Sequence, residues 1–431
     1  MPSSKDRFYS VLAGSHYHLA DVVDKPEHAR KRKMMAAAYA LKNLEEWEHK
    51  VADKMVRFLR AADTVCTAPL PMGQTHPDVA DLAFDYRSYT NFFTLDAIAD
   101  IGLSELLGFL DAGDDECDAE DRTDGSLRRV KFREALYATA RAQSEIVWAY
   151  DWYKFNVWLS KLLSPRYFSR LWKLNENWND IVYHRATKRL SRYDKGEKLS
   201  DFFQVLMEDQ RSGQPHNLEW GELVAETSIM MNAGSDTTAL AMANVMYLLL
   251  KNPGALCKLR AEVDAALLPD EAVAPYQKVK YLPYLRAVLD EALRVIPPTT
   301  FGLPRRTPAE GLTIGGQFVP GDTSVSISAY VAHRDASLFP EPEAFRPERW
   351  LGDEAKALQS GFIPFSTGAR GCIGRNISYL EQTVLLASVV HRYELALTSP
   401  DWEPERVEGT TYQMGKMPVK IWRRDPAALG V

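Results

Sequence analysis

The residue types that could do chemistry gather in one short stretch, Phe365-Ser-Thr-Gly368-Ala-Arg370-Gly-Cys372-Ile-Gly374. A cysteine thiolate is a nucleophile or a metal ligand, and nearby cations and N–H groups set how readily it forms. Arg370 lies two positions before the thiol, while Gly368 and Gly374 let the backbone turn and approach a bound group without a Cβ in the way. The stretch fits F-x-x-G-x-R-x-C-x-G, whose five fixed positions coincide by chance on the order of once in ten million starts. A lone cysteine in a Gly-rich turn reads as a buried structural residue; this constellation argues against that reading. The four cysteines, Cys66, Cys117, Cys257 and Cys372, are far apart with no C-x-x-C pair, which excludes a zinc ribbon and a disulfide-dense scaffold and implies reduced thiols.

The segment resembles the heme-binding loop of the cytochrome P-450 monooxygenases. The resemblance implies that Cys372 is the axial ligand of a heme b iron (iron protoporphyrin IX), that Phe365 packs against the macrocycle, and that Arg370 pairs with a propionate. A thiolate ligand pushes electron density onto iron and favours O–O cleavage. Cys372 precedes an expected helix, Arg375 to Arg392, whose dipole and free N–H groups suit a charged sulfur.

Three further segments occur in the order the family requires. Ala233-Gly234-Ser235-Asp236-Thr237-Thr238 lies inside the longest expected helix and resembles the oxygen-activation motif. Glycine there costs about 1 kcal/mol relative to alanine, a cost a groove beside bound O2 would explain. By resemblance Thr237 would hydrogen-bond the oxygen or a water, Asp236 would feed the proton chain, and Ala233 would line the substrate site. The plain alternative for the threonine is a bond back to its own helix carbonyls. Glu291-Ala-Leu-Arg294 resembles E-x-x-R, its spacing placing both side chains on one helix face, and Arg349 in Phe345-Arg-Pro347-Glu348-Arg349-Trp350 would be the third member of that structural network. His28 and Arg32, in the basic run His28-Ala-Arg-Lys-Arg32-Lys33, would contact a propionate, with Arg30, Lys31 and Lys33 attracting an acidic reductase surface. Arg305 would be another propionate partner, and Thr299, Thr300 and Phe301 would line the substrate pocket.

The elements that must position these residues are mostly helical. Apolar residues recurring at three and four predict helices over 26–41, 44–62, 81–101, 127–147, 165–192, 199–210, 219–251, 253–267, 281–296 and 375–392. The acidic stretch Asp111 to Asp121 reads as a solvated loop, because clustered like charges repel. Short β-type runs follow Pro297-Pro298, at Leu312–Phe318 and Thr323–Ala329, and the tail from Tyr393 alternates like strands. The expected fold is mainly α with small β-sheets, one domain over residues 1–431 whose β-rich portions are about 300–330 and 393–424; by resemblance it is the cytochrome P-450 fold, incomplete at its N-terminus. With Lys+Arg 52 against Asp+Glu 58, the chain lacks the basic footprint of a nucleic-acid binder. No h-region opens the chain, and the apolar series Ala239 to Leu250 is short and broken by Asn244. The sequon Asn376-Ile-Ser378 falls on the helix after the ligand, and nothing near His16 and His18 completes a metal set.

Family members normally reach the basic helix after a membrane anchor, a Pro-rich hinge, a first helix and the first strands of a sheet. Here only residues 1–25 precede it, so a truncated gene model or fragment is expected, with Phe301–Arg306 and Thr323–Ala329 left as unpaired edges. No anchor lies in this chain, although family members sit on the cytosolic face of the endoplasmic reticulum membrane. The resemblance implies a monomer taking electrons from an NADPH-cytochrome P-450 reductase, since no dinucleotide G-x-G-x-x-G occurs, and inserting one atom of O2 into an apolar small molecule. Phe301-Gly-Leu-Pro-Arg305 and Arg375-Asn-Ile-Ser-Tyr379 look most like fungal benzoate 4-monooxygenase-like members acting on aromatic or secondary-metabolite scaffolds. The same heme could instead serve oxidative coupling or rearrangement, or the chain could be a non-catalytic heme-binding remnant.

Overall fold

The computed structural model describes residues 3–36, 38–39, 41–209, 212–353 and 355–424. The chain opens with strand β1 (Ser4–Lys5) and helices α1 (Phe8–Leu12), α2 (Lys25–Ala36) and α3 (Leu41–Thr64). Strand β2 (Phe84–Asp85), α4 (Tyr86–Leu103) and α5 (Phe109–Ala112) precede a hairpin of β3 (Glu116–Glu120) and β4 (Leu127–Lys131). Then come α6 (Phe132–Ile146), α7 (Tyr153–Leu163), α8 (Phe168–Asp194), α9 (Phe202–Met207), α10 (Trp220–Lys251), α11 (Pro253–Ala266), α12 (Tyr276–Val279) and α13 (Pro283–Val295). Strands β5 (Arg305–Arg306), β6 (Leu312–Ile314), β7 (Gln317–Val319) and β8 (Ser324–Val325) lead to the short helices α14 (Ala329–Ala332) and α15 (Ala355–Leu358). The chain closes with α16 (Arg375–Arg392) and strands β9 (Tyr393–Leu397), β10 (Arg406–Glu408), β11 (Tyr412–Met414) and β12 (Pro418–Arg423).

Helix α10 is the axis of the core. Every residue from Thr238 to Leu249 is buried, as expected of a helix apolar all round, and it packs against α4, α8, α13 and α16. Its start is marked by a capping box in which the Glu219 and Glu222 side chains exchange backbone N–H groups. The Asp201 carboxylate caps α9 by accepting from the Gln204 N–H at 2.8 Å, and Pro253 and Pro283 open α11 and α13, where a missing N–H costs nothing. The tail strands β9 and β12 pair antiparallel from Val419↔Leu397 to Arg423↔Tyr393, with β2 on the other side of β12.

Several expectations need correction. The acidic stretch is not all loop: β3 pairs with β4, and cross-strand partners Asp118↔Arg129 and Glu116↔Lys131 offset the repulsion that argued against order. The expected helix over 127–147 therefore begins only at Phe132, after the basic strand. Helix α7 was not foreseen. In place of one strand over Thr323–Ala329, β8 covers two residues, and Ala329 opens α14. The expected end of the helix over 199–210, Gln210, lies outside the described residues. The Arg305–Arg306 strand is not an open edge, because Lys5↔Arg305 and Ser4↔Arg306 pair it with β1, while β8 lies on its other side as an edge of the described sheet. No helix among the described residues is long and apolar enough to cross a membrane.

Candidate active site around Cys372

The loop that carries Cys372 is closed by its own backbone. The Cys372 N–H donates to the Phe365 carbonyl at 2.8 Å and the Gly371 N–H to Gly368 at 3.0 Å. Gly368 has φ +71°, the left-handed conformation that glycine adopts without strain. Gly374 differs: its φ is −80°, and an added Cβ would meet Cys372 Sγ at 3.9 Å, so the packing of the chain alone does not demand glycine there. Burial among protein atoms pushes the Cys372 thiol up, although the residue itself is solvent-accessible; the N–H groups of Gly374 and Arg375 and the charges of Arg32 and Arg375 draw it back toward the thiolate. Phe365 packs beside Tyr379 with ring centroids 5.2 Å apart.

Four residues expected to face cofactor carboxylates come from distant parts of the chain and meet here. Arg32 Nη1 donates to the Gly371 carbonyl at 2.8 Å, and Arg370 donates to the carbonyls of Val22 and Val23 at 2.9 and 3.2 Å. Arg305 Nη1 lies against the Tyr9 hydroxyl at 3.1 Å and the carbonyls of Leu303 and Pro304. His28 is buried, and burial followed by the Arg370, Lys5 and Arg32 charges lowers its pKa to about 4. Lysine 5, not foreseen, joins them from β1. In the basic run, Lys33 is exposed, whereas Lys31 is buried against Glu222 and Glu226 at 3.0 Å and the exposed Arg30 pairs with Glu27 and Glu222.

On α10, Ala233 is exposed and Thr237 half-buried, while the rest of the helix around them is packed. Thr237 Oγ1 donates to the Ala233 carbonyl at 2.9 Å, the plain alternative anticipated for it. Asp236 is buried and fully engaged: Oδ1 accepts from Arg87 Nη2 at 2.7 Å and the Tyr137 hydroxyl at 2.9 Å, and Oδ2 from Thr411 at 2.8 Å. Its three donors come from α4, α6 and the β10–β11 turn. A Cβ at Gly234 would meet Ile98 Cγ1 of α4 at 2.7 Å, a close approach that calls for glycine in this helix. Where this helix packs against the cysteine helix, Thr238 Oγ1 donates to Ser378 Oγ at 3.0 Å.

Phe301 is half-buried, edge-on to Trp148 with centroids 6.1 Å apart, and Thr299 is half-buried. Thr300 is a buried strut instead of a free lining residue, because its hydroxyl donates to Glu408 at 2.8 Å and its carbonyl accepts from Ser328 at 2.6 Å. Glu291 and Arg294 form a bidentate pair at 2.9 Å, and Arg349 Nε donates to Glu291 at 3.0 Å. Trp350 Nε1 and the Arg346 N–H complete the same carboxylate at 2.9 Å. No group of three His, Cys, Asp or Glu side chains placed to hold a metal ion occurs among the described residues; His16 and His18 lie against Glu219 and Asp21 at 3.0 and 3.3 Å.

The donor set fits a heme on structural grounds. A thiol at a helix N-terminus offers one metal ligand, and an excess of half-buried guanidinium groups, bonded to neutral carbonyls, is suited to two carboxylates. Arg87, Tyr137 and Thr411 carried no sequence signal, since they lie far from Asp236 along the chain. Trp350 was visible in its motif but had no assigned partner.

The sequence model of the cytochrome P450 family matches residues 6–421. A benzoate 4-monooxygenase of Aspergillus niger is 29% identical over 436 residues, spanning 98% of this chain and 81% of that one. The cytochrome P450 monooxygenase hepC of Aspergillus oryzae is 29% identical over 420 residues, spanning 94% of this chain and 76% of that one. Among solved structures, the cytochrome P450DA heme domain superposes with a TM-score of 0.75 at 19% identity, covering 99% of this chain and 85% of that one.

Proposed function

The chain belongs to the cytochrome P450 family, and from that premise we propose that it is a monooxygenase that holds heme b through Cys372 and inserts one atom of O2 into an apolar small molecule of aromatic or secondary-metabolite type. Heme with a thiolate ligand, when bound, supplies O2 activation. The chain's residues supply the surroundings. The N–H groups at the start of α16 and the Arg32 and Arg375 charges stabilise sulfur charge. Arg32, Arg305 and Arg370 receive the carboxylates, with His28 neutral beside them. Ala233, Thr299 and Phe301 bound the substrate side, Thr237 can turn its hydroxyl from Ala233 to a water or substrate, and Asp236 serves protons only after releasing one of its three donors.

The observation that carries this reading is the joining of the two chemical segments: Ser378, six residues after the thiol on its helix, bonds Thr238, next to Thr237, at 3.0 Å. Electrons would come from an NADPH-cytochrome P450 reductase, the chain being one catalytic domain over residues 1–431 and acting as a monomer; reductase-dependent NADPH oxidation and light scattering test these two points. Membrane association of the kind usual in the family is supported by α7 and its flanks, where Trp152, Phe155 and Trp158 are exposed beside Lys154 and Lys161. Sedimentation with phospholipid vesicles tests it. For the reaction, incubation with a reductase, benzoate and labelled O2 is expected to give a product carrying one labelled oxygen atom. An unlabelled coupled or rearranged product would overturn monooxygenation.

A further inference from the structure

Lys5 is the one member of the carbonyl-bound cation cluster that the resemblance did not mark. It is buried, with 6% exposure, and its Nζ donates to the carbonyls of Leu19, at 3.4 Å, and Ala20. Two carbonyls further along the same loop, those of Val22 and Val23, are taken by Arg370 of the cysteine loop. Residues 19–23 are thus gripped between a lysine from β1 and an arginine two residues before the thiol. The loop is also fastened to α10, because the Leu19 N–H donates to Glu226 at 3.2 Å while Glu226 pairs with buried Lys31 at 3.0 Å.

The cluster is out of balance. Arg370, Arg305 and Arg32 all face Lys5, and Asp21 is the carboxylate that faces it. Burial and these cations lower Lys5 to about 7, and burial raises Asp21 to about 7, so the opposing charge is itself weakened. Asp6, just after β1, is committed to Arg306 at 3.0 Å, and Asp24, whose charge also acts on Arg370, accepts from the Glu27 N–H at 2.8 Å. Four cations, Lys5 buried and the three arginines half-buried, thus face two carboxylates, an excess that an anion beside them would offset.

Building on the heme reading above, we propose that Lys5 is a further cation of the site for the heme carboxylates, supplied by the N-terminal strand, so that holding those carboxylates also clamps residues 4–24 onto the body of the protein. Two protons of Nζ are directed at Leu19 and Ala20, and the third, on an ammonium that also lies 4.9 Å from the Tyr9 ring centroid, is the one a carboxylate oxygen would accept.

The test compares full-length protein loaded with hemin and with hemin dimethyl ester, in which both carboxylates are blocked. Loss of the group to an excess of a competing heme acceptor is timed for the wild type, Lys5→Met and Lys5→Arg. Lys5→Met is expected to lose hemin roughly tenfold to a hundredfold faster, the worth of one hydrogen bond to a charged group, and to lose the dimethyl ester at the wild-type rate; Lys5→Arg should resemble the wild type with both. Hydrogen exchange in residues 4–24 of the hemin-loaded protein should quicken in Lys5→Met. Equal acceleration with hemin and its ester would mean that Lys5 only supports the fold, and an unchanged rate with hemin would also overturn the assignment. Failure of the wild type to take up hemin with a thiolate-type spectrum would instead overturn the heme reading beneath it.

Discussion

Arg349 Nε donates to Glu291 Oε1 at 3.0 Å, and the same carboxylate holds Arg294 bidentately and the Trp350 indole, all three charged groups being buried. Breaking a buried pair by removing one partner costs about 3–5 kcal/mol, because the remaining charges stay dry and unpaired. Glu291→Gln leaves two guanidiniums facing a neutral amide. It is expected to lower the thermal midpoint by many degrees and to release heme on mild warming. A midpoint within a degree or two of the wild type would contradict the structural role given to this network.

His333, in the turn after α14, sits against that network: its ring lies 3.1 Å from the Arg294 carbonyl and accepts from the Ile363 N–H at 2.9 Å. Burial holds its pKa at about 4 against an ordinary 6.5. Unfolding therefore takes up a proton between those values, so the contribution is complete above pH 6.5 and is lost as pH falls toward 4. His333→Gln should make the acid limb of stability shallower by up to about 3 kcal/mol over that window. Urea midpoints measured at stepped pH check this, and parallel curves for the two proteins would refute it.

Asp236 and Thr237 are neighbours with separable roles. Asp236→Ala strands Arg87, whose Nη2 keeps only the Tyr137 hydroxyl and whose Nε and Nη1 have no hydrogen-bond partner among the described residues, and is expected to cost about 3–5 kcal/mol. Thr237→Ala loses only a bond to its own helix, about 1 kcal/mol or less. Its effect should appear instead as less product for each NADPH consumed. Comparable losses of stability in both variants would show Thr237 to be a packing residue.

At Gly234 the helix–helix contact with Ile98 sets the sign. Alanine gains about 1 kcal/mol in helix propensity, but a Cβ 2.7 Å from Ile98 Cγ1 overpacks the α4–α10 seam at about 1–3 kcal/mol. Gly234→Ala alone should destabilise, and the same change in an Ile98→Ala background should be neutral or stabilising. Equal effects in both backgrounds, read from denaturation midpoints, would exclude the clash.

What could be read from the sequence was whatever local chemistry decides. The helix 375–392 has the same ends in sequence and structure because Gly374 precedes it and an extended Tyr393 follows. The Glu291–Arg294–Arg349 network was legible through the resemblance of both motifs to the family's, since the spacing of three alone places only Glu291 and Arg294 on one helix face. Pairings decided by tertiary approach were not legible. Asp118 meets Arg129 only because a turn brings two strands together, Arg87 reaches Asp236 across 149 positions, and Lys5 looks like any solvated lysine until β1 pairs with β5. Gly234 was legible as an anomaly, but its cause, Ile98, was not.

The central claim, that Cys372 is a thiolate ligand to heme, is tested most directly by the reduced, CO-treated absorption spectrum of the heme-loaded protein. The wild type should show the thiolate-type Soret shift, as should Cys66→Ala, Cys117→Ala and Cys257→Ala, and Cys372→Ala should lose it. A well-folded, heme-loaded wild type without that band, or a Cys372→Ala protein that keeps it, would contradict the assignment.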